Sequence, residues 1–331
     1  MQMFKISLET TKTWPNKFRL EFGKIMLELA RQREDVVFVV SDSGRGCRCD
    51  GFDDCPEQFV ECGIAEQNMI GVAAGLARCG KRPVAFGFAP FAAERCFEQI
   101  RVDVAYSNLN VIIVGSEGGF GFGTQGVTHF GWEDVALMRS LPGMTVLCPA
   151  DNAQLVHCLQ AALAIEGPVY IRTNGGIPTP LYQLNDSLEV GKGIVHRTGT
   201  DASIIVSGPL VAAACEASDA LAQEGISVGV VNMHTIKPLD NALVLELAKK
   251  TKLIMTIEEH TIVNGLGSAV ADVLSEEGCG CKLIKVGLPD EYPHTVSPYP
   301  IMLKDYGFTP ESFAQKIKAG LKRGHEDEQK I

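Results

Sequence analysis

The sequence predicts an α/β protein built as two consecutive doubly wound domains, each around a mostly parallel sheet. Three observations carry that prediction. Short apolar runs rich in Val and Ile recur along the chain, helical stretches separate them, and one turn-rich stretch, 173–192, interrupts the alternation before it restarts. Strand–helix–strand alternation points to a parallel sheet, because parallel neighbours need a long crossover, usually a helix.

Candidate strands in the first half are 35–40, 83–88, 110–115, 145–148 and 168–172. Several are continuously apolar, as strands are when helices cover both faces of a sheet. Helical spacing over 20–33, 64–78, 92–106, 133–140 and 152–165 fills the gaps. Gly, Pro, Asn and Asp without periodicity mark 173–192 as a connection, which sets the domains at 15–185 and 186–331. Beyond it, 202–207, 227–232 and 253–257 read as strands, with helices over 210–223 and 241–249. The charged end, 322–331, is expected to fray.

Composition narrows the function. The chain has 331 residues, 46% hydrophobic and 21% charged, enough for two ordinary cores. No charge-free apolar run reaches the ~18 residues of a membrane span, and residues 1–17 lack the apolar stretch of a secretion signal. A cytoplasmic protein with no membrane partner is the expectation. A net charge of −10 without a block of Lys and Arg argues against nucleic-acid binding, which needs clustered cations. The 11 cysteines, an odd count in a long chain, read as reduced thiols. Cys47, Cys49, Cys55 and Cys62 are close in sequence but lack paired C-x-x-C spacing and a nearby His. Small, semi-buried side chains are therefore favoured over zinc, and no metal ligand is assigned to this chain.

The most informative stretch runs from Phe59 to Ala77. From Ile64 onward it is helical and nearly apolar all round, the pattern of a buried helix. Glu66 and Gln67 nevertheless fall in its first turn. A buried carboxylate is costly unless it is paired or protonated, and the helix dipole offsets only ~1 kcal/mol. On these residues alone, Glu66 is a helix cap, an Arg partner or a functional carboxyl group.

Gly63-Ile-Ala-Glu-Gln-Asn68 with Gly71-Val-Ala-Ala-Gly75 resembles the pyrimidine-binding domain of transketolases. The resemblance continues through Phe88-Ala-Pro-Phe91, Arg95, Gln99-Ile-Arg101, Gly126-Val-Thr-His129, Glu133 to Arg139, Pro149-Ala-Asp151 and Gly167 to Arg172. The later half, with Ile236-Lys-Pro-Leu239 and Glu258 to Gly267, is similar to the family's C-terminal domain, so the likeness spans about 18–320. It implies a thiamine diphosphate-binding fold followed by a C-terminal-domain fold, and transfer of a two-carbon ketol unit between a ketose, or ketose phosphate, and an aldose. By resemblance Glu66 is the catalytic carboxyl group that hydrogen-bonds the aminopyrimidine, Phe88 and Phe91 hold that ring, and Asp42 lies near the thiazolium. His129 faces the substrate as a second catalytic residue, and Arg19 and Arg172 grip a sugar phosphate, a task suited to guanidinium groups.

Four positions depart from the family pattern. Gln125 stands where an Asp contacts the donor's hydroxyl, Glu117 where a His helps to bind phosphate, and Cys47 near a phosphate-binding Ser or Thr. Glu94 stands where an aromatic or a glycine is found. An unusual ketose or ketose phosphate is the resulting expectation, with Gln125 and Glu117 still counted as substrate contacts. The chain contains no Gly-Asp-Gly, the family's diphosphate and metal motif. The expectation is a separate N-terminal subunit that holds Mg²⁺ and the diphosphate, in a heterotetramer with this chain.

Three other readings stay open at this point. One is the beta subunit of a 2-oxo acid dehydrogenase decarboxylase, which shares the plan and the cofactor. A second is a nicotinamide-dependent oxidoreductase. Gly121 to Gly126 fits G-x-G-x-x-G, although six residues separate Val114 from it and no helix follows directly. The third is a binding subunit without catalysis, against which the retained Glu66 speaks.

Overall fold

The computed structural model describes residues 17–42, 49 and 51–328. Cys47 lies outside these residues. The first half forms helix α1 (Phe18–Gln32), strands β1 (Val36–Val40) and β2 (Phe59–Glu61), helix α2 (Glu66–Arg78), and strands β3 (Arg82–Phe88) and β4 (Ile112–Gly118). Helix α3 (Asp134–Ser140), strand β5 (Thr145–Leu147), helix α4 (Asn152–Ala162) and strand β6 (Val169–Asn174) follow. Between β3 and β4 the chain makes helical turns of irregular pitch over 90–105.

The second half contains β7 (Ile194–Arg197), β8 (Ala202–Val206), α5 (Val211–Gln223), β9 (Val228–Asn232), β10 (Thr235–Lys237) and α6 (Asn241–Lys250). It ends with β11 (Leu253–Thr261), α7 (Leu266–Glu276), β12 (Lys282–Leu288), α8 (Tyr299–Asp305) and α9 (Pro310–Glu328). Helix α9 runs to Glu328, well into the end expected to fray.

Two sheets result. One has seven strands in the order β10-β5-β6-β4-β3-β1-β2, the other five in the order β12-β11-β8-β9-β7. Both are parallel except for an antiparallel edge, β10 on β5 and β7 on β9. The two consecutive α/β domains expected from the sequence are therefore present, with one exchange: edge strand β10 of the first sheet comes from beyond the linker.

Strand periodicity explains the layers. Val36, Phe38 and Val40 of β1 pack with Phe18, Phe22 and Met26 of α1 and Leu155 and Leu159 of α4. Val37 and Val39 point the other way, toward Met69, Ile70 and Ala73 of α2 and Ile100 and Val104. Each such buried side chain contributes roughly 1.5–3 kcal/mol of transfer free energy. The second sheet has Val211, Ala214 and Phe313 on one face and Val244 and Val270 on the other. Ile205 and Val231 share a core with Met144 and Val146 of the first half, so the domains are packed against each other.

Helix α2 corrects one expectation. It was read as buried all round, yet it buries one face, through Glu66, Met69, Ile70, Ala73 and Ala74. Gln67, Gly71 and Gly75 face outward, where a glycine Cβ would meet nothing within 4 Å among the described residues.

Candidate functional site

The carboxyl ends of β1, β3 and β4 open on one side of the first sheet, where ligands of doubly wound folds are commonly held. Glu66 begins α2, is 6% exposed, and has no capping side chain before it. Its Oε2 accepts a 2.8 Å hydrogen bond from Arg95 Nη1. The irregular turns after β3 place Arg95 one turn beyond Phe91, and the guanidinium lies 4.3 Å from the Phe91 ring centroid, a cation–π distance.

From there aromatic rings form a continuous wall. Phe91 lies 6.3 Å from Phe88 and 5.1 Å from His129, all edge-on contacts between ring centroids. Phe88 meets Phe122 at 4.6 Å, and Phe122 lies 5.9 Å from His129. Thr128 Oγ1 lies 2.9 Å from His129 Nδ1, which orients the imidazole. At the far end Arg19 sits 5.7 Å from the Phe88 ring and 5.3 Å from Phe122. Its Nε is 3.4 Å from Glu117 Oε1.

Glu117, next to last in β4, has φ +54, an uncommon conformation for a residue with a side chain. Burial raises its pKa against the pull of Lys17 and Arg19. Neither of its oxygens accepts a hydrogen bond from the described residues.

The structure thus gathers Glu66, Phe88, Phe91, His129, Arg19 and Glu117. Asp42 stands apart at the end of β1, exposed and at φ +47, with its N–H donating to Glu61 Oε1 at 2.7 Å. Gln125 is exposed on the loop that carries His129. Glu94 turns away from the wall. One of its oxygens is buried without a hydrogen-bond partner among the described residues, and burial, aided by the Asp134 and Glu133 carboxylates, pushes its pKa up to about 8.

Arg172 requires a correction. Expected to grip a phosphate, it is 3% exposed and bonded inside the protein through two of its three nitrogens. Its Nε lies 3.1 and 3.0 Å from the two Asp134 oxygens, and Nη2 donates to the carbonyls of Gly131 and Glu259 at 2.8 Å each. Tyr170 adds a 2.6 Å bond to Asp134, in space that a side chain at Gly115 would fill. The guanidinium ties the two domains together and is not presented to a ligand.

Two members of the wall had no role assigned from the sequence. Arg95 had a readable signal, its i,i+4 spacing from Phe91. Phe122 had none, since it is hidden between the glycines of a loop whose path is set by tertiary contacts.

Known proteins resolve the family. Residues 16–176 match the model of the transketolase pyrimidine-binding domain, and 191–313 that of the transketolase C-terminal domain. A 6-deoxy-6-sulfo-D-fructose transketolase subunit from Clostridium sp. (strain MSTE9) is 37% identical over 98% of this chain and 97% of its own length. One of the subunits of an apulose-4-phosphate transketolase from Phocaeicola vulgatus is 39% identical over 82% of this chain and 88% of its own. A solved structure described as a split-gene transketolase in an inactive beta4 tetramer is 39% identical, with a TM-score of 0.82 over 92% of this chain and 98% of that one. The chain belongs to the transketolase family and is a transketolase-type transferase chain that comprises the family's pyrimidine-binding and C-terminal domains.

Proposed function

We propose that this chain is the smaller subunit of a split transketolase, which transfers a two-carbon ketol unit from a ketose to an aldose. Thiamine diphosphate would lie between it and an N-terminal subunit that holds the diphosphate and Mg²⁺, in a cytoplasmic heterotetramer. The observation that carries this reading is Glu66, a buried carboxyl group at the start of α2 beside an aromatic pair. Its Oε2 is taken by Arg95, and Oε1 has no donor among the described residues. That fits the aminopyrimidine, which needs one carboxyl oxygen and a flat apolar neighbour.

When bound, thiamine diphosphate supplies the carbon nucleophile. This chain's residues would do the rest. Glu66 would hold a proton against the pyrimidine ring nitrogen, while Arg95 fixes its rotamer. Phe88 and Phe91 would orient the ring, with Asp42 toward the thiazolium. His129 would donate a hydrogen bond, or a proton, to the substrate's carbonyl oxygen, with Gln125 near the donor's hydroxyls. Exposed apolar side chains just before α2 and just after the turns 90–105 support a contact with another chain: Ile64 is 76% exposed and Tyr106 90%. The relatives named as subunits support it too.

The substrate's far end is read from Arg19 and Glu117. Arg19 stands beside Glu117 at 3.4 Å and Arg172 is buried against Asp134, so neither is an open phosphate clamp. Ketoses with an uncharged end are therefore favoured over their phosphates.

Purified alone, the chain should show no ketol transfer with thiamine diphosphate and Mg²⁺, and the co-purifying partner should restore it. In that complex Glu66→Ala should lower kcat at least ~100-fold while the thermal midpoint holds. A near-normal rate removes Glu66 from the chemistry. Glu117→Gln should shift preference toward phosphorylated ketoses by about tenfold, read as a kcat/KM ratio; an unchanged ratio removes Glu117 from substrate selection.

A further inference from the structure

We propose that Glu259, carried by the C-terminal domain, is a positioning residue for the loop 119–131, so that this domain sets where Phe122 and His129 stand. The catalytic consequence rests on the function proposed above; the positioning itself does not.

The loop leaves β4, passes along the aromatic wall and returns. Its base is closed by mutual hydrogen bonds between Gly119 and Gly131. Glu259 lies under that base, 2% exposed. Its Oε1 accepts the Phe120 N–H at 2.7 Å. Its Oε2 accepts from Asn174 Nδ2 at 2.8 Å and from Tyr299 Oη at 2.7 Å. Three donors hold its rotamer and favour the carboxylate, against burial, which raises its pKa. The approach is so close that a Cβ on Gly119 would stand 2.1 Å from Oε1, and Gly119 also has φ +66. Glycine is required there on both counts.

Other contacts, from both domains, act with it. Arg172 bridges the Gly131 and Glu259 carbonyls. The Thr261 N–H donates to the Trp132 carbonyl at 2.9 Å, and the Ser297 N–H to that of Gly123 at 3.2 Å. Phe120, Phe130 and Trp132 sink into the second domain's core, with Val206 and Met302. Alternate members of the loop are thus anchored away from the wall, which leaves Phe122 and His129 against it. A displacement of about 1 Å at such a site costs on the order of 100-fold in rate.

The test uses the full chain alone, then its complex. Amide hydrogen exchange is measured for wild type and for Glu259→Gln, which keeps one acceptor for Phe120 and loses the second carboxylate oxygen. Exchange over 119–131 should rise about tenfold or more, with β8 and β9 unchanged. Gly119→Ala, which fills the carboxylate's space from the other side, should do the same. In the complex, Glu259→Gln should lower kcat by about tenfold with thiamine diphosphate affinity unchanged. Unchanged loop exchange, or faster exchange spread evenly through both sheets, overturns the proposal. A wild-type complex inactive in ketol transfer would instead sink the functional reading and leave the exchange result standing.

Discussion

Two arginine–carboxylate pairs of the first domain, Asp134–Arg172 and Glu66–Arg95, differ in kind. In Asp134–Arg172 the side chains are 0% and 4% exposed, and the guanidinium is filled by a carboxylate and two carbonyls. In Glu66–Arg95 the carboxylate is 7% exposed, but the arginine is 44% exposed and rests on a ring. The first pair is closed off by burial; the second has a carboxyl oxygen without a donor among the described residues and an arginine open to a neighbour. An arginine near a site is a strut when its donors are spent inside the protein, and a site residue when they are not.

Arg172→Met is the strongest way to break this comparison. It leaves Asp134 buried and uncompensated near Glu259, a class of change that costs about 3–5 kcal/mol. Urea unfolding of the isolated chain should show that loss. A loss under ~1 kcal/mol would mean that water reaches the pair, and the distinction between strut and site would fail.

The same contrast shows what the sequence could convey. The parallel strands were legible because both faces are covered, so Val36–Val40 and Ile112–Gly118 are buried along their whole length and the first is apolar without interruption. Glu66 stood out in the sequence because a carboxylate in an apolar helix needs a reason, and its pairing with Arg95 is one of the readings left open there. Strand β10 was not: Thr-Ile-Lys is too short to carry a period, and its partner β5 lies far back in the chain. Nor was the fate of Arg172, because Asp134, Tyr170 and Glu259 meet it only after the domains pack. Local pattern reports burial, whereas it does not report which buried groups are already satisfied.

Glu94 sharpens the comparison, since it adjoins Arg95 in sequence yet feels the carboxylates of the strut. Burial first, then Asp134 and Glu133, raise its pKa to about 8 from an ordinary 4.5. Between those values the folded chain holds a proton that the unfolded chain has released. The associated stability is full below pH 4.5 and is lost as pH rises to 8. Glu94→Gln removes this dependence. Relative to wild type, the variant should gain on the order of 3 kcal/mol between about pH 5.5 and 8.5, read from paired urea titrations. A constant difference across that range would mean that Glu94 is solvated.

The smallest effect is the most discriminating. Arg95→Gln removes the same kind of guanidinium from the same kind of carboxylate as the Arg172 variant does. Its guanidinium is partly in water, so the pair contributes only ~0–1 kcal/mol to folding. Urea unfolding should therefore barely register the change. The assembled enzyme should register it, because Glu66 would lose the group that fixes its rotamer: kcat should fall by about tenfold, with substrate KM little changed. A variant that unfolds as readily as the Arg172 variant would place both pairs in the frame of the protein. One that keeps both stability and kcat would leave Arg95 an ornament of the surface, and Glu66 would then owe its orientation to the partner chain.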